Sequence, residues 1–259
     1  MSKPTISVII PTCDRPEYLK DTLISVINQT VPPQEILVID NGLVPVDQNL
    51  LPKDKLIKVI RALPRFGVSQ ARNMGAILAS FDILAFLDDD DEWDTCYLEN
   101  VRDTHYETGA NVILGRLRDR VSKKPITGKQ AIFYNEKDLI KKILFRNPGV
   151  VGSNTSVIRH HFFLGPGYDQ SITTGQDKAM VLDLLLLGTS VKMAENAWVD
   201  FRDEGDRPRQ TELSKLSQGK RRFMIKYWHN MNWYQRFFNI LMWFKVNIRR
   251  LVFSFLKYL

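Results

Sequence analysis

The chain has 259 residues, 44% of them hydrophobic and 25% charged. That suits one large α/β domain with an appendage and excludes collagen-like, low-complexity and disulfide-scaffold classes. The net charge of +7 is unevenly placed: residues 213 to 259 hold ten Lys and Arg and no acid, leaving 26 basic against 29 acidic residues before them. Cys13 and Cys96 form no metal-type spacing, which fits a reducing compartment. The N-terminus lacks a signal-peptide pattern, and no run of 18 uncharged apolar residues marks a transmembrane helix.

In chain order, the β-branched run 6–10 reads as a buried strand closed by Pro11. A helix is expected from Pro16 to about Asn28, with Leu19, Leu23, Val26 and Ile27 on one face. Residues 35–40 form a second strand ending in the turn signal Asp40-Asn41-Gly42, and 56–60 a third. A helix follows from 67 to about 80 with Ser69 as its N-cap, then a fourth strand from Ile83. That strand runs into Asp88, Asp89, Asp90, Asp91 and Glu92. Five carboxylates in a row raise one another's pKa unless a cation sits among them. Side chains alternate along an extended chain, so Asp88 and Asp90 point the same way and can share one ligand, and such hard oxygens suit Mg²⁺ or Mn²⁺ arriving with a phosphate substrate. Taken alone, the run also reads as a solvated acidic turn.

Beyond it, Asp94 is placed as the cap of a helix to Thr108, followed by a strand 111–117 and a basic loop 118–129. A helix 137–145, a glycine-interrupted strand 150–158 and an apolar helix 176–187 stopped by Gly188 come next. An edge strand at 191–193 and a charged loop over 200–209 precede two helical segments, about 211–230 and 233–259. The domain reading is 1–210 catalytic, split into halves of about 1–110 and 111–210, with 211–259 as a helical tail. The order strand, helix, strand, strand, helix, strand points to a mostly parallel, mixed sheet flanked by helices. Ligands bind such sheets at the carboxyl ends of the strands. Thr12-Cys13-Asp14, Asp40-Asn41 and Asp88 to Asp91 all fall there, which a chance acidic turn would not explain.

With these elements placed, the chain resembles the inverting nucleotide-sugar glycosyltransferases of the GT-A fold, glycosyltransferase family 2, over roughly residues 5 to 202. The resemblance rests on Ser7-Val-Ile-Ile-Pro-Thr-Cys-Asp-Arg-Pro16, Glu35 to Gly42, Gly67 to Gly75 with its Ala71-Arg72-Asn73, Leu87 to Trp93, and Gly175-Gln176-Asp177. It implies a nucleotide-sugar donor, UDP by family habit, held by Pro11, Thr12, Asp14, Arg15, Asp40, Asn41, Arg72, Asp88 and Asp89. It implies Mn²⁺ or Mg²⁺ at Asp88 and Asp90, and Asp177 as the base that deprotonates an acceptor hydroxyl. Asn41 stands where many members carry a second Asp, and Gln176 replaces the usual Glu before the base. Duller readings stay open: an Asx turn for Asp40, an ion pair for Arg72, a helix-dipole carboxylate for Asp177. Glu92 is read as facing water, and His160-His161 as surface or acceptor-loop residues pointing apart.

The tail carries 12 of the chain's 27 aromatic residues. Ile240, Phe244, Ile248, Leu251 and Phe255 make a helical stripe with Lys245, Arg249, Arg250 and Lys257 off it. Such a helix lies in an anionic membrane interface, or packs on the catalytic domain or a second subunit. No nucleic-acid motif is present. The expected protein is a metal-dependent inverting glycosyltransferase at the inner face of a membrane, acting on a glycan or lipid-linked acceptor in cell-surface polysaccharide synthesis. Its rivals are a nucleotidyltransferase, which lacks a glycine-rich phosphate loop here, and a nucleotide-sugar-binding scaffold without turnover.

Overall fold

The computed structural model describes residues 3–126, 128, 130–202 and 213–256. Its core is an eight-stranded mixed sheet: β1 (Ile6–Thr12), β2 (Glu35–Asp40), β3 (Ile57–Arg61), β4 (Ile83–Phe86), β5 (Glu92–Trp93), β6 (Val112–Asp119), β7 (Thr155–Ile158) and β8 (Val191–Phe201), in the order β3-β2-β1-β4-β7-β6-β8-β5. The first four strands pair in parallel. β7 then runs antiparallel to β4 and β6, while β8 is parallel to β6.

Side chains alternate across a strand, so β1 feeds two cores. Ile9 joins Phe86 and Leu114 beneath α2 (Val68–Leu78), α4 (Glu136–Phe145) and α6 (Gln176–Leu186). Val8 and Ile10 join Ala85 and Leu87 beneath α1 (Pro16–Ile27) and α3 (Tyr97–Thr108). A short helix, α5 (Arg159–Phe162), follows β7.

Several expectations shift. β1 runs through Pro11 to Thr12, because β2 stays in register with it on both sides of the proline, Ile10 with Val38 and Thr12 with Asp40. α2 is opened by Gly67 at φ +97 rather than capped by Ser69, which is buried inside the first turn. Asp94 stands outside α3, its carboxylate accepting from the Cys96 amide and from Arg118. The strand placed at the sheet edge is instead eleven residues long and lies between β6 and β5. Its exposed Glu195-Asn196 breaks the apolar pattern that would have revealed it, opposite a register shift between Leu114 and Arg116. Of the charged loop expected at 200–209, Asp200 and Phe201 belong to β8; the rest from 203, with the domain boundary near 210, lies outside the described residues.

Two further helices, α7 (Leu213–Lys226) and α8 (Trp233–Leu256), pack against the rest. The Tyr227 hydroxyl, just past the end of α7, shares its proton between the Ala179 carbonyl and the Asp183 carboxylate of α6, at 3.0 and 2.9 Å. Lys226 bridges Asp183 and Asp169. Helix ends leave carbonyls without partners. At the end of α4, Gln235 and Asn239 of α8 donate to the Lys141 and Leu144 carbonyls. Successive helical residues turn by about 100°, which puts Gln235, Asn239 and Val246 on one side of α8. Trp233, Phe237, Leu241, Phe244, Ile248 and Leu251 fall on the other side and are all exposed. Ile240, assigned to the open stripe from sequence, is instead partly covered.

Candidate active site

The carboxyl ends of β1, β2 and β4 meet at one rim, since Thr12 registers with Asp40 and Ile9 with Phe86. Thr12 donates through Oγ1 to Asp89 Oδ2 at 2.8 Å, and Arg15 reaches Asp89 at 3.3 Å and Asp90 at 2.8 Å. Asp14, at φ +55, accepts from the Leu43 and Val44 amides and so fastens the loop after β2. Asp40 closes an Asx turn onto Gly42 and also accepts from Val46 and Arg61. With its amide oxygen turned to the Gly67 N–H, Asn41 joins that amide to the Thr12 carbonyl, at 3.1 and 2.5 Å. Asp14, Asp40 and Asn41 therefore build the floor of the rim, while Arg15, Asp88 and Asp90 stand along its wall. Pro11 is buried within β1 beneath them.

The centre is Arg72. Only 2% of its side chain is exposed, yet it touches two carboxylates from distant parts of the chain. Nη1 donates to Asp177 at 2.7 Å and Nη2 to Asp88, while its guanidinium lies 5.0 Å from the centroid of the Tyr168 ring. Asn73, the next residue on α2, holds the Tyr168 backbone through both its amide and carbonyl groups. The space is so tight that a Cβ on Gly152 would collide with the Arg72 guanidinium and lie 3.0 Å from Asp88 Oδ1. Its neighbour Ser153 accepts from the Asp88 amide at 3.1 Å and donates to Asp91 at 2.5 Å. Sequence reasoning missed Gly152, Ser153 and Tyr168. The polar Gly-Ser-Asn step inside an otherwise apolar run was the available signal.

Charge is distributed accordingly. Burial pushes the Asp89 carboxyl up to about 7, against the lowering pull of Arg15. Burial likewise raises Asp177, with Arg72 pulling it back and Asp88 adding to the rise. A carboxylate shifted toward neutrality and held at a fixed oxygen is suited to general-base work. Glu92 does not face water alone, being paired to Arg120 at 2.6 Å and Arg202 at 3.4 Å.

Residues 88–91 form a turn closed by the Asp91 amide on the Asp88 carbonyl, so strand alternation ends before the acidic run and does not orient it. Asp88 and Asp90 are instead aimed by different arginines. Their side chains are 30% and 15% exposed and offer hard oxygens at the open rim. Among the described residues no group of three or more His, Cys, Asp or Glu is arranged to hold a metal ion. Two carboxylates suit a Mg²⁺ or Mn²⁺ that keeps phosphate and water oxygens for the rest of its shell.

An open groove of about 850 Å³ lies at the opposite end of the sheet, lined by Asp82, His105, Arg159 and His160 among others. The His160-His161 pair is there, far from the rim, with ring centroids 4.0 Å apart rather than pointing away from each other. The sequence left open whether the basic tail lies on a membrane or packs on the catalytic domain; its first helix does pack there, with Gly219 of α7 against Thr174, three residues before Asp177.

A mixed, helix-flanked sheet with an acidic rim at the carboxyl ends of its parallel strands has the architecture of a GT-A-type glycosyltransferase, and its matches to known proteins agree. The sequence profile of glycosyl transferase family 2 matches residues 7–164, and the chain belongs to that family. An uncharacterized glycosyltransferase of Haemophilus influenzae is 34% identical over 95 residues, 35% of this chain and 38% of that protein. TuaG of Bacillus subtilis, named for teichuronic acid biosynthesis, is 33% identical over 101 residues, 38% of this chain and 40% of that protein. Each match thus spans about two-fifths of the relative's length. The crystal structure of Staphylococcus aureus TarS 1-349 superposes with a TM-score of 0.63 over 86% of this chain and 65% of that one, at 15% identity. That likeness speaks to the fold.

Proposed function

We propose that this chain is a metal-dependent, inverting glycosyltransferase that moves a sugar from a nucleotide donor, UDP-linked by family habit, to a glycan or lipid-linked acceptor in cell-surface polysaccharide synthesis. TuaG's naming for teichuronic acid biosynthesis supports the polysaccharide context. The observation that carries the reading is the Arg72 bridge, which ties Asp88 at the donor rim to Asp177 on α6. Inversion needs a base on the side of the sugar away from the leaving group. Asp177 takes the proton of the acceptor hydroxyl on a carboxylate oxygen, while Arg72 keeps that carboxylate ionised and aimed. Arg15 and the Thr12–Asp89 pair order the donor rim, and the loop floor of Asp14, Asp40 and Asn41 receives the nucleoside. Asp88 and Asp90 would hold Mn²⁺ or Mg²⁺, which when bound neutralises charge building on the diphosphate.

Nucleotide-sugar turnover with Mn²⁺ tests this directly. Asp177→Asn should abolish turnover while UDP binding persists. Full activity in that variant would remove Asp177 from the base role. A binding scaffold without turnover draws support from Gln176 alone.

The reading places the enzyme at the inner face of a membrane. No helix among the described residues is long and apolar enough to cross one. The exposed stripe of α8 is accompanied by Arg236, Lys245, Arg249 and Arg250, and neither α7 nor α8 carries an acid. Two copies of this helix would face each other with cations only, whereas an anionic lipid surface complements them.

A further inference from the structure

Among the described residues, two half-buried lysines at the α6–α7 contact, Lys178 and Lys220, meet no carboxylate. Lys226 pairs with Asp169 and Asp183, which uses the acids that α6 and its preceding loop supply. Lys178, the residue after the proposed base, folds back over the loop before α6, so that a Cβ on Gly175 would lie 3.1 Å from its Cε. Its Nζ sits 3.8 Å from the centroid of Phe223, a buried ring of α7. Lys220 lies one turn earlier on α7 and is half-buried. Among the described residues neither ammonium group meets a carboxylate, and Lys178 is offset only by the face of the Phe223 ring. Burial drives Lys178 down to about 7, with Lys220 adding to the fall, and burial lowers Lys220 too. Isolating ammonium groups in this way is destabilising unless an anion offsets it.

The elements that bring the two together are built to stay in place. Gly219 meets the loop so closely that a Cβ there would be 2.7 Å from the Thr174 amide nitrogen and would collide with its hydroxyl. Thr173 Oγ1 donates to the Lys215 carbonyl at 2.7 Å. The last turn of the loop before Asp177 is thereby fixed to α7, which holds Lys178 of α6 and Lys220 of α7 in one arrangement.

We propose that Lys178 and Lys220 form a cradle for an anionic group, a phosphate or a carboxylate, carried by the acceptor beside Asp177. This rests on the glycosyl-transfer reading for the word acceptor, though the anion site itself can be tested without it. An acceptor hydroxyl a short distance from its own anionic group would be anchored by the lysines and presented to the base. The enzyme would then favour an acidic glycan or a phosphate-bearing acceptor over a neutral one.

The test is calorimetric titration of the full chain with inorganic phosphate and, separately, acetate, in buffer free of both. Phosphate binding should weaken at least tenfold in Lys178→Met and Lys220→Met, persist in Lys178→Arg, and be unaltered in Arg15→Ala at the donor rim. Preference for phosphate or for acetate names the kind of anion. Lys178→Met should melt above wild type, having lost a buried unpaired charge, which establishes that it folds. Phosphate binding unchanged in both lysine→Met variants overturns the cradle, as does no binding by wild type or binding lost only in Arg15→Ala. UDP binding with Mn²⁺ is measured on the same samples. Wild type that binds phosphate through the lysines but no UDP overturns the donor reading and leaves the anion site. UDP binding with phosphate indifferent to the lysines does the reverse.

Discussion

Gly152→Ala is the sharpest probe of the Arg72 bridge. The added methyl would enter the space of the guanidinium, which is enclosed on its other sides by Asp177, Asp88 and the Tyr168 ring. Arg72 cannot slide without releasing one carboxylate. Overpacking costs ~1–3 kcal/mol, and a lost charge-assisted hydrogen bond ~1.5–3 kcal/mol. Allowing for partial relaxation, the expected loss is about 3 kcal/mol, or ~6–12 °C in Tm for a chain of this size. Arg72 also holds the Asp177 pKa down against burial, so displacing it should raise that pKa further. Because the base works ionised, the acidic limb of the kcat/KM profile should move to higher pH. Thermal melting followed by circular dichroism and a pH–rate profile read the two effects. A variant that melts within a degree or two of wild type and keeps its acidic limb would refute both the tightness of the pocket and the coupling of Arg72 to Asp177.

Asp89 supplies a second test. Its folded pKa of about 7 lies above the unfolded value, so its contribution to stability is present at low pH and lost as pH rises through 7. Urea unfolding in metal-free buffer should find Asp89→Asn gaining on wild type between pH 5 and 8. Tyr227→Phe removes the hydroxyl bonds to Ala179 and Asp183 and should lower stability by ~1–3 kcal/mol by the same unfolding measurement. Paired Leu241→Glu and Phe244→Glu changes on the exposed side of α8 should leave Tm unchanged and abolish sedimentation with phosphatidylglycerol vesicles. Unaltered sedimentation would remove the stripe from membrane contact, and a dimer dissolved by these changes would assign it to a second copy.

The parallel half of the sheet was legible because buried strands carry apolar, β-branched runs and end in polar turns, as 6–12, 35–40 and 83–86 do. The convergence of Thr12, Asp40 and Asp88 followed from that topology alone. What stayed hidden was tertiary. The Asx turn of Asp40 was readable from Asp40-Asn41-Gly42, but the links from Asp40 to Val46 and Arg61 and from Asn41 to Gly67 were not. β8 escaped detection past Met193 because Glu195 and Asn196 face solvent at a bulge, interrupting the alternation on which strand recognition depends. Tyr168 and Gly152 matter only through contacts with a side chain on α2, and Lys178 through a ring 45 residues later.

The brace between α7 and the loop at 173–175 also has a consequence for synthesis. A nascent chain that has emerged as far as Arg202 already contains Asp88, Arg72 and Asp177, and the whole eight-stranded sheet. It still lacks Lys215 and Gly219, which pin the loop leading to Asp177. Domains generally fold in the order they leave the ribosome. The Asp88–Arg72–Asp177 bridge should therefore be assembled before the loop at 173–175 is braced, so that on the proposed reading the polypeptide acquires its donor side first and its transfer competence only when its last helices dock.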